Sequence, residues 1–166
     1  MRLNPKFNSS KEFLDKLNIF VYATIGLPMG LFLYFYLNYE SSLLTPFIEN
    51  SKTISYLTIG ISATLATLGI FLYKKQLSSA VKEDSLKEKM TSLFNSTVLK
   101  FLFFLLSGIT ITIAFIITGH PLYTALYVVN LIVCSINNPS PHRTARELKL
   151  NVEEGMAILN KEPLNF

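Results

Sequence analysis

Few residues in this chain could do chemistry, and their spacing argues against it. The side chains best suited to act as nucleophile, base or metal ligand are two histidines, His120 and His142, and one cysteine, Cys134. Neither histidine is placed to activate a serine or the cysteine, as nucleophilic catalysis requires. Cys134 sits inside a long apolar run, where a thiol is a small packing side chain and not a reactive thiolate. Glycine-rich phosphate loops and paired axial histidines do not occur. No cofactor, no metal and no enzymatic activity are expected. Asn130 is the most polar side chain inside an apolar run, with Asn18 near the edge of another. Such an amide either joins two helices by a hydrogen bond or helps to coordinate an ion. Proton- and sodium-coupled machines place an ionisable group inside the bilayer; no Asp, Glu, Lys or Arg occurs within the apolar runs, which disfavours a rotor-ring subunit.

The elements that hold these residues follow from charge. Of 166 residues 50% are hydrophobic and only 16% charged, against about 25% in a soluble domain, and the mean hydropathy is +0.39. No charge occurs over Leu17–Tyr39, Thr53–Tyr73 or Phe101–Pro141, stretches of 23, 21 and 41 residues. A bilayer span needs about 20. These values exclude a soluble globular domain, a disordered chain and a secreted disulfide scaffold. The longest stretch is divided by Gly119-His120-Pro121, which reads as a turn. Four spans are expected, at about Leu17–Leu37, Ile54–Tyr73, Val98–Thr118 and Pro121–Asn138. Continuous rather than alternating apolar character makes them helices, not barrel strands. The expected fold is all-α, an integral membrane four-helix bundle with cytoplasmic helical extensions.

Orientation follows from the basic residues. Fourteen of the 15 Lys and Arg fall before the first span, between spans two and three, or after span four; the loop 38–52 holds only Lys52, with Glu40 and Glu49. The positive-inside bias then places both termini and the middle loop in the cytoplasm of a bacterial inner membrane. His120 and His142 consequently lie on opposite sides and cannot share a metal. Topology accounts for the basic isoelectric point, so nucleic acid is not required as a partner.

The polar segments carry helix signals. Ser9 with Glu12 resembles a capping box opening the N-terminal segment 1–16. In the middle loop, Leu77 and Val81 continue span two, while Leu86, Met90, Leu93 and Phe94 recur at helical spacing around a turn at Lys82-Glu83-Asp84-Ser85. This pattern fits either two helices projecting into the cytoplasm or an amphipathic helix lying on the inner leaflet. In the tail 139–166, Ser140-Pro141 and Asn151 with Glu154 are start signals for two short helices. The second opens Glu153-Glu154 and would repel phosphates, so a DNA-reading helix-turn-helix is not expected. The tail's apolar positions Leu148, Leu150, Val152, Met156 and Leu159 are the expected docking residues.

From Tyr73-Lys74-Lys75-Gln76-Leu77, through Asp84–Lys89, Lys100 and Thr118–Leu122, to Asn138-Pro139-Ser140 and Glu147–Leu150 with Glu153-Glu154, the sequence resembles a group of small four-span inner-membrane proteins of Bacteroidota. The resemblance covers residues 70–155 or so. It implies the four-span topology and a folded tail but no activity, since no catalytic signature is among its motifs. Members often carry an acidic residue where Ser107 stands, so an intramembrane carboxylate is not carried over.

Helix packing remains as the functional signal. Span one carries Gly26-Leu27-Pro28-Met29-Gly30; span two carries Gly60, Ser62, Ala66 and Gly69; span three carries Ser107 and Gly108. Small residues let helix backbones approach closely in lipid. The hydroxyls Thr58, Ser62, Thr64 and Thr67 make span two the most polar, which predicts a central position for it. Spans one and three both follow a lysine and both carry a small-residue site, the pattern of a duplicated hairpin. The expected partners are the lipid bilayer and a larger inner-membrane complex, or self-association. An accessory subunit or assembly factor fits this make-up; a small homo-oligomeric transporter or channel is the alternative.

Overall fold

The computed structural model describes residue 7, residues 9–83 and residues 85–160, Ala157 by its backbone alone. Arg2, Lys6, Asp84 and Lys161 lie outside the described residues. Six helices follow one another: α1 (Ser10–Glu40), α2 (Lys52–Ala80), α3 (Leu86–Thr118), α4 (Pro121–Ile136), α5 (Pro141–Glu147) and α6 (Val152–Leu159). No strand occurs among the described residues. Helices α1, α2 and α3 are long and apolar enough to cross a membrane, while α4 is apolar but shorter, at 16 residues. It ends two residues before the expected limit. The Asn137 side chain donates to the Val133 carbonyl at 2.9 Å, and Pro139 and Pro141 cannot continue the intrahelical ladder.

Local chemistry sets the helix ends. The Ser9 hydroxyl accepts from the Glu12 N–H at 3.1 Å and opens α1. Ser85 does the same for Glu88 at 3.2 Å and opens α3. Gly119, at φ 59, makes the turn into α4, a left-handed conformation that favours glycine. There His120 accepts from Leu122 N–H through Nδ1 at 3.2 Å. Ser140 and Asn151 cap α5 and α6, the latter in a full capping box with Glu154. Helices α2 and α3 continue unbroken through the basic residues that flank their apolar parts, so the middle segment consists of the end of α2, a short turn and the start of α3.

The chain divides into two compact units, one of residues Met1–Tyr22, Ile70–Lys100 and Asn138–Phe166, the other of Ala23–Gly69 and Phe101–Asn137. The division of the fold coincides with the division of charge. The first, the basic unit, contains 14 of the 15 Lys and Arg; the second, the apolar unit, carries only Lys52, Glu40 and Glu49.

In the basic unit, Phe13, Leu17, Tyr73, Ala80, Met90, Leu93, Leu148 and Ile158 form one buried cluster with Phe7, Leu14, Phe94 and Val98. Its core therefore joins the start of α1, the end of α2, the start of α3, and the tail. In the apolar unit, Phe32, Ile111, Phe115, Tyr123 and Tyr127 cluster, with Phe32 stacked on Tyr127 at 4.3 Å between centroids. The loop after α1 satisfies the carbonyls that a helix end leaves open: Phe47 and Ile48 N–H donate to the Ile117 carbonyl at 2.9 and 3.2 Å. Tyr39 donates to the Ile116 carbonyl at 2.5 Å. Tyr123 donates to Asn50 Oδ1 at 2.8 Å, tying the start of α4 to the loop before α2.

Burial overturns the expected place of α2. Half of the most apolar window of α3 is buried, against 22% for α1 and 17% for α2. The hydroxyl content of α2 misleads because Ser and Thr can satisfy themselves on a carbonyl of the preceding turn. Thr110, Thr112 and Thr118 of α3 do so at 2.8–2.9 Å. A hydroxyl-rich helix therefore does not need a central position.

Candidate functional site

Two arrangements stand out, one in each unit. In the apolar unit, Gly108 of α3 lies where three helices meet. A Cβ there would stand 3.2 Å from Asn130 Nδ2, 3.7 Å from the Tyr127 ring and 3.9 Å from Pro28. Glycine's missing side chain is what lets the Asn130 amide lie against the α3 backbone. Immediately before Gly108, Ser107 donates to the Ser62 carbonyl at 3.2 Å, bringing α2 onto α3. The Ser62 hydroxyl itself is buried without a hydrogen-bond partner among the described residues. Gly69 is buried and Ala66 half-buried on the same side of α2. The junction by Thr24, Pro28, Tyr127, Asn130 and Cys134 encloses about 10 Å³ of free space. That is room for at most one water, too little for a small-molecule ligand.

Gly26, Gly30 and Gly60 are placed differently. A Cβ at any of them would meet nothing within 4 Å among the described residues. Among the described residues they are not helix contacts, a correction to the expectation that they pack within the bundle. Pro28, between the two α1 glycines, is the residue on the inward side. Gly60 opens instead onto a shallow groove with Tyr56, Leu57, Ile61 and Thr64.

In the basic unit, a polar cluster joins three segments. Tyr73 of α2 donates through its hydroxyl to Glu147 Oε2 of α5. The other oxygen of Glu147 accepts from Arg143 Nε at 2.7 Å. Lys100 of α3 is fully buried, and its ammonium stands 3.9 Å from the centre of the Tyr73 ring, an electrostatically favourable place for a desolvated cation. Glu154 of α6 faces Lys89 of α3 at 3.9 Å. Each of these contacts fastens the tail or a helix end. Among the described residues no three His, Cys, Asp or Glu gather as a metal site would require.

The tail docks on the chain's own core, but not by the whole set of residues expected. Leu148 is fully buried, Leu150 packs against the same cluster and Leu159 is half-buried. Val152 and Met156 are 83% and 53% exposed, and Ile158 is buried in their place. A Cβ at Gly155 would stand 3.9 Å from the Ala145 methyl, an ordinary contact, and Glu154 faces Lys89. Nothing in the periodicity of an eight-residue helix with apolar residues on several sides selects Ile158.

Fold and site together define a class: an all-helical protein whose three long apolar helices support its assignment to the membrane. Compared with protein-family models, curated proteins and solved structures, the chain matches none of them.

Proposed function

We propose that this is a multi-pass protein of the bacterial inner membrane, a four-helix bundle with both termini in the cytoplasm. In this reading it serves a larger membrane complex as a non-catalytic accessory subunit or assembly factor. The coincidence of the apolar unit with the charge-poor part of the sequence supports the membrane placement, and the 14-to-1 distribution of basic residues supports the orientation. The observation that carries the role is the set of outward glycines. Gly26, Gly30 and Gly60 lie on helices whose apolar windows are mostly uncovered by the chain itself. Bare backbone on a lipid-exposed face admits a helix from another protein at close range.

Solubilised gently from its own membrane, the tagged protein is expected to carry one larger membrane protein in fixed ratio. The double variant Gly26→Leu/Gly30→Leu should lose it while remaining folded and monodisperse. The groove at Gly60 and the exposed Thr64 and Thr67 of α2 favour a second reading, a homo-oligomer conducting along α2. A discrete homo-oligomer with solute flux in liposomes would select that reading and overturn the first.

A further inference from the structure

We propose that the exposed side of α5, with the lysines that end the apolar part of α2, binds anionic lipid headgroups. The inference rests on the membrane reading above. Three edges of charge-free sequence meet at the Tyr73 cluster: Tyr73 ends the second stretch, Lys100 immediately precedes the third, and Glu147 lies six residues beyond its last residue, Pro141. Their contacts hold α5 beside Tyr73, one residue from Lys74 and two from Lys75. Tyr73 is the last residue of the second charge-free stretch, and Lys74 and Lys75 are the first charges after it, the position at which basic residues meet the inner leaflet.

The charge on this level is sorted. Thr144 and Leu148 are buried, while His142 and Arg146, four residues apart on α5, and Lys149, just past the Leu148 cap, are exposed. Lys74 and Lys75 are exposed as well. The neighbouring acids are engaged: Glu147 by Tyr73 and Arg143, and the Glu154 carboxylate by Lys89 and by the Asn151 backbone N–H that it accepts from. Glu153 is the exposed acid of α6. What α5 presents outward is thus basic, beside the end of a charge-free stretch, and complementary to an anionic leaflet.

The test uses the full chain in neutral detergent micelles, with its thermal midpoint followed as lipid is titrated. Phosphatidylglycerol should raise the midpoint; phosphatidylcholine and water-soluble glycerol phosphate should not. Arg146→Gln/Lys149→Gln should weaken the apparent affinity for phosphatidylglycerol by about 25-fold, roughly fivefold per charge removed. Lys82→Gln/Lys87→Gln, which removes two exposed lysines around the α2–α3 turn, should leave it within about twofold. Equal loss in both double variants would show a response to net charge and overturn the site. Equal stabilisation by both lipids in a protein that requires detergent would overturn it while leaving the membrane reading intact. A chain that stays monodisperse without detergent would overturn both.

Discussion

Removing residues 139–166 is expected to lower the thermal midpoint of the detergent-solubilised protein by about 5 °C or more. The truncation takes away Leu148 and Ile158, both fully buried, from the cluster they share with Met90 and Leu93. Losing a buried Leu or Ile side chain costs about 2–5 kcal/mol, partly offset by the entropy of ordering the tail. The damage should be local. Hydrogen exchange should accelerate over residues 86–100, whose apolar partners are removed, and change little over residues 104–115 in the apolar unit. An unchanged midpoint would mean that the tail contributes nothing to the core it is packed in.

The second large effect separates two glycines that look alike in sequence. Gly108→Leu should destabilise the protein by about 1–3 kcal/mol or more, the usual range for overpacking. Even the first carbon of the new side chain would crowd the Asn130 amide at 3.2 Å. Gly30→Leu should leave the unfolding midpoint of the isolated chain unchanged, because its Cβ meets nothing within 4 Å among the described residues. Thermal unfolding in detergent of both variants, with the parent beside them, gives the comparison. Equal destabilisation by the two would contradict the placement of α1.

That contrast shows where a sequence stops being informative. A Gly-x-x-x-Gly pattern states that two bare positions share a helix face, but not that another helix of the chain lies there. Pro28, lodged between those glycines, occupies the inward side instead. The supposed equivalence of spans one and three fails at the same point, since Gly108 is buried and Gly26 and Gly30 are exposed. Helix ends were far more legible, because a cap is a local device. Ser9 with Glu12, Ser140 before Pro141 and Asn151 with Glu154 each carry their whole signal within four residues. The Tyr73–Glu147 bond joins residues 74 positions apart, and no periodicity connects them. Lys100 was legible as the start of an apolar run, but its stacking on Tyr73 was not. The polarity of α2 suggested a central helix because composition counts hydroxyls without recording which carbonyls they reach.

The orientation underlies every functional statement, and cysteine accessibility tests it most directly. In a Cys134→Ser background, single cysteines are placed at Ser51, before α2, and at Ser79, near its other end; both positions are exposed. Intact cells are treated with a membrane-impermeant thiol reagent, and lysed cells serve as the labelling control. With the loop 38–52 outside and the α2–α3 turn in the cytoplasm, Ser51→Cys reacts in intact cells and Ser79→Cys reacts only after lysis. Labelling of Ser79→Cys but not Ser51→Cys in intact cells would contradict the account.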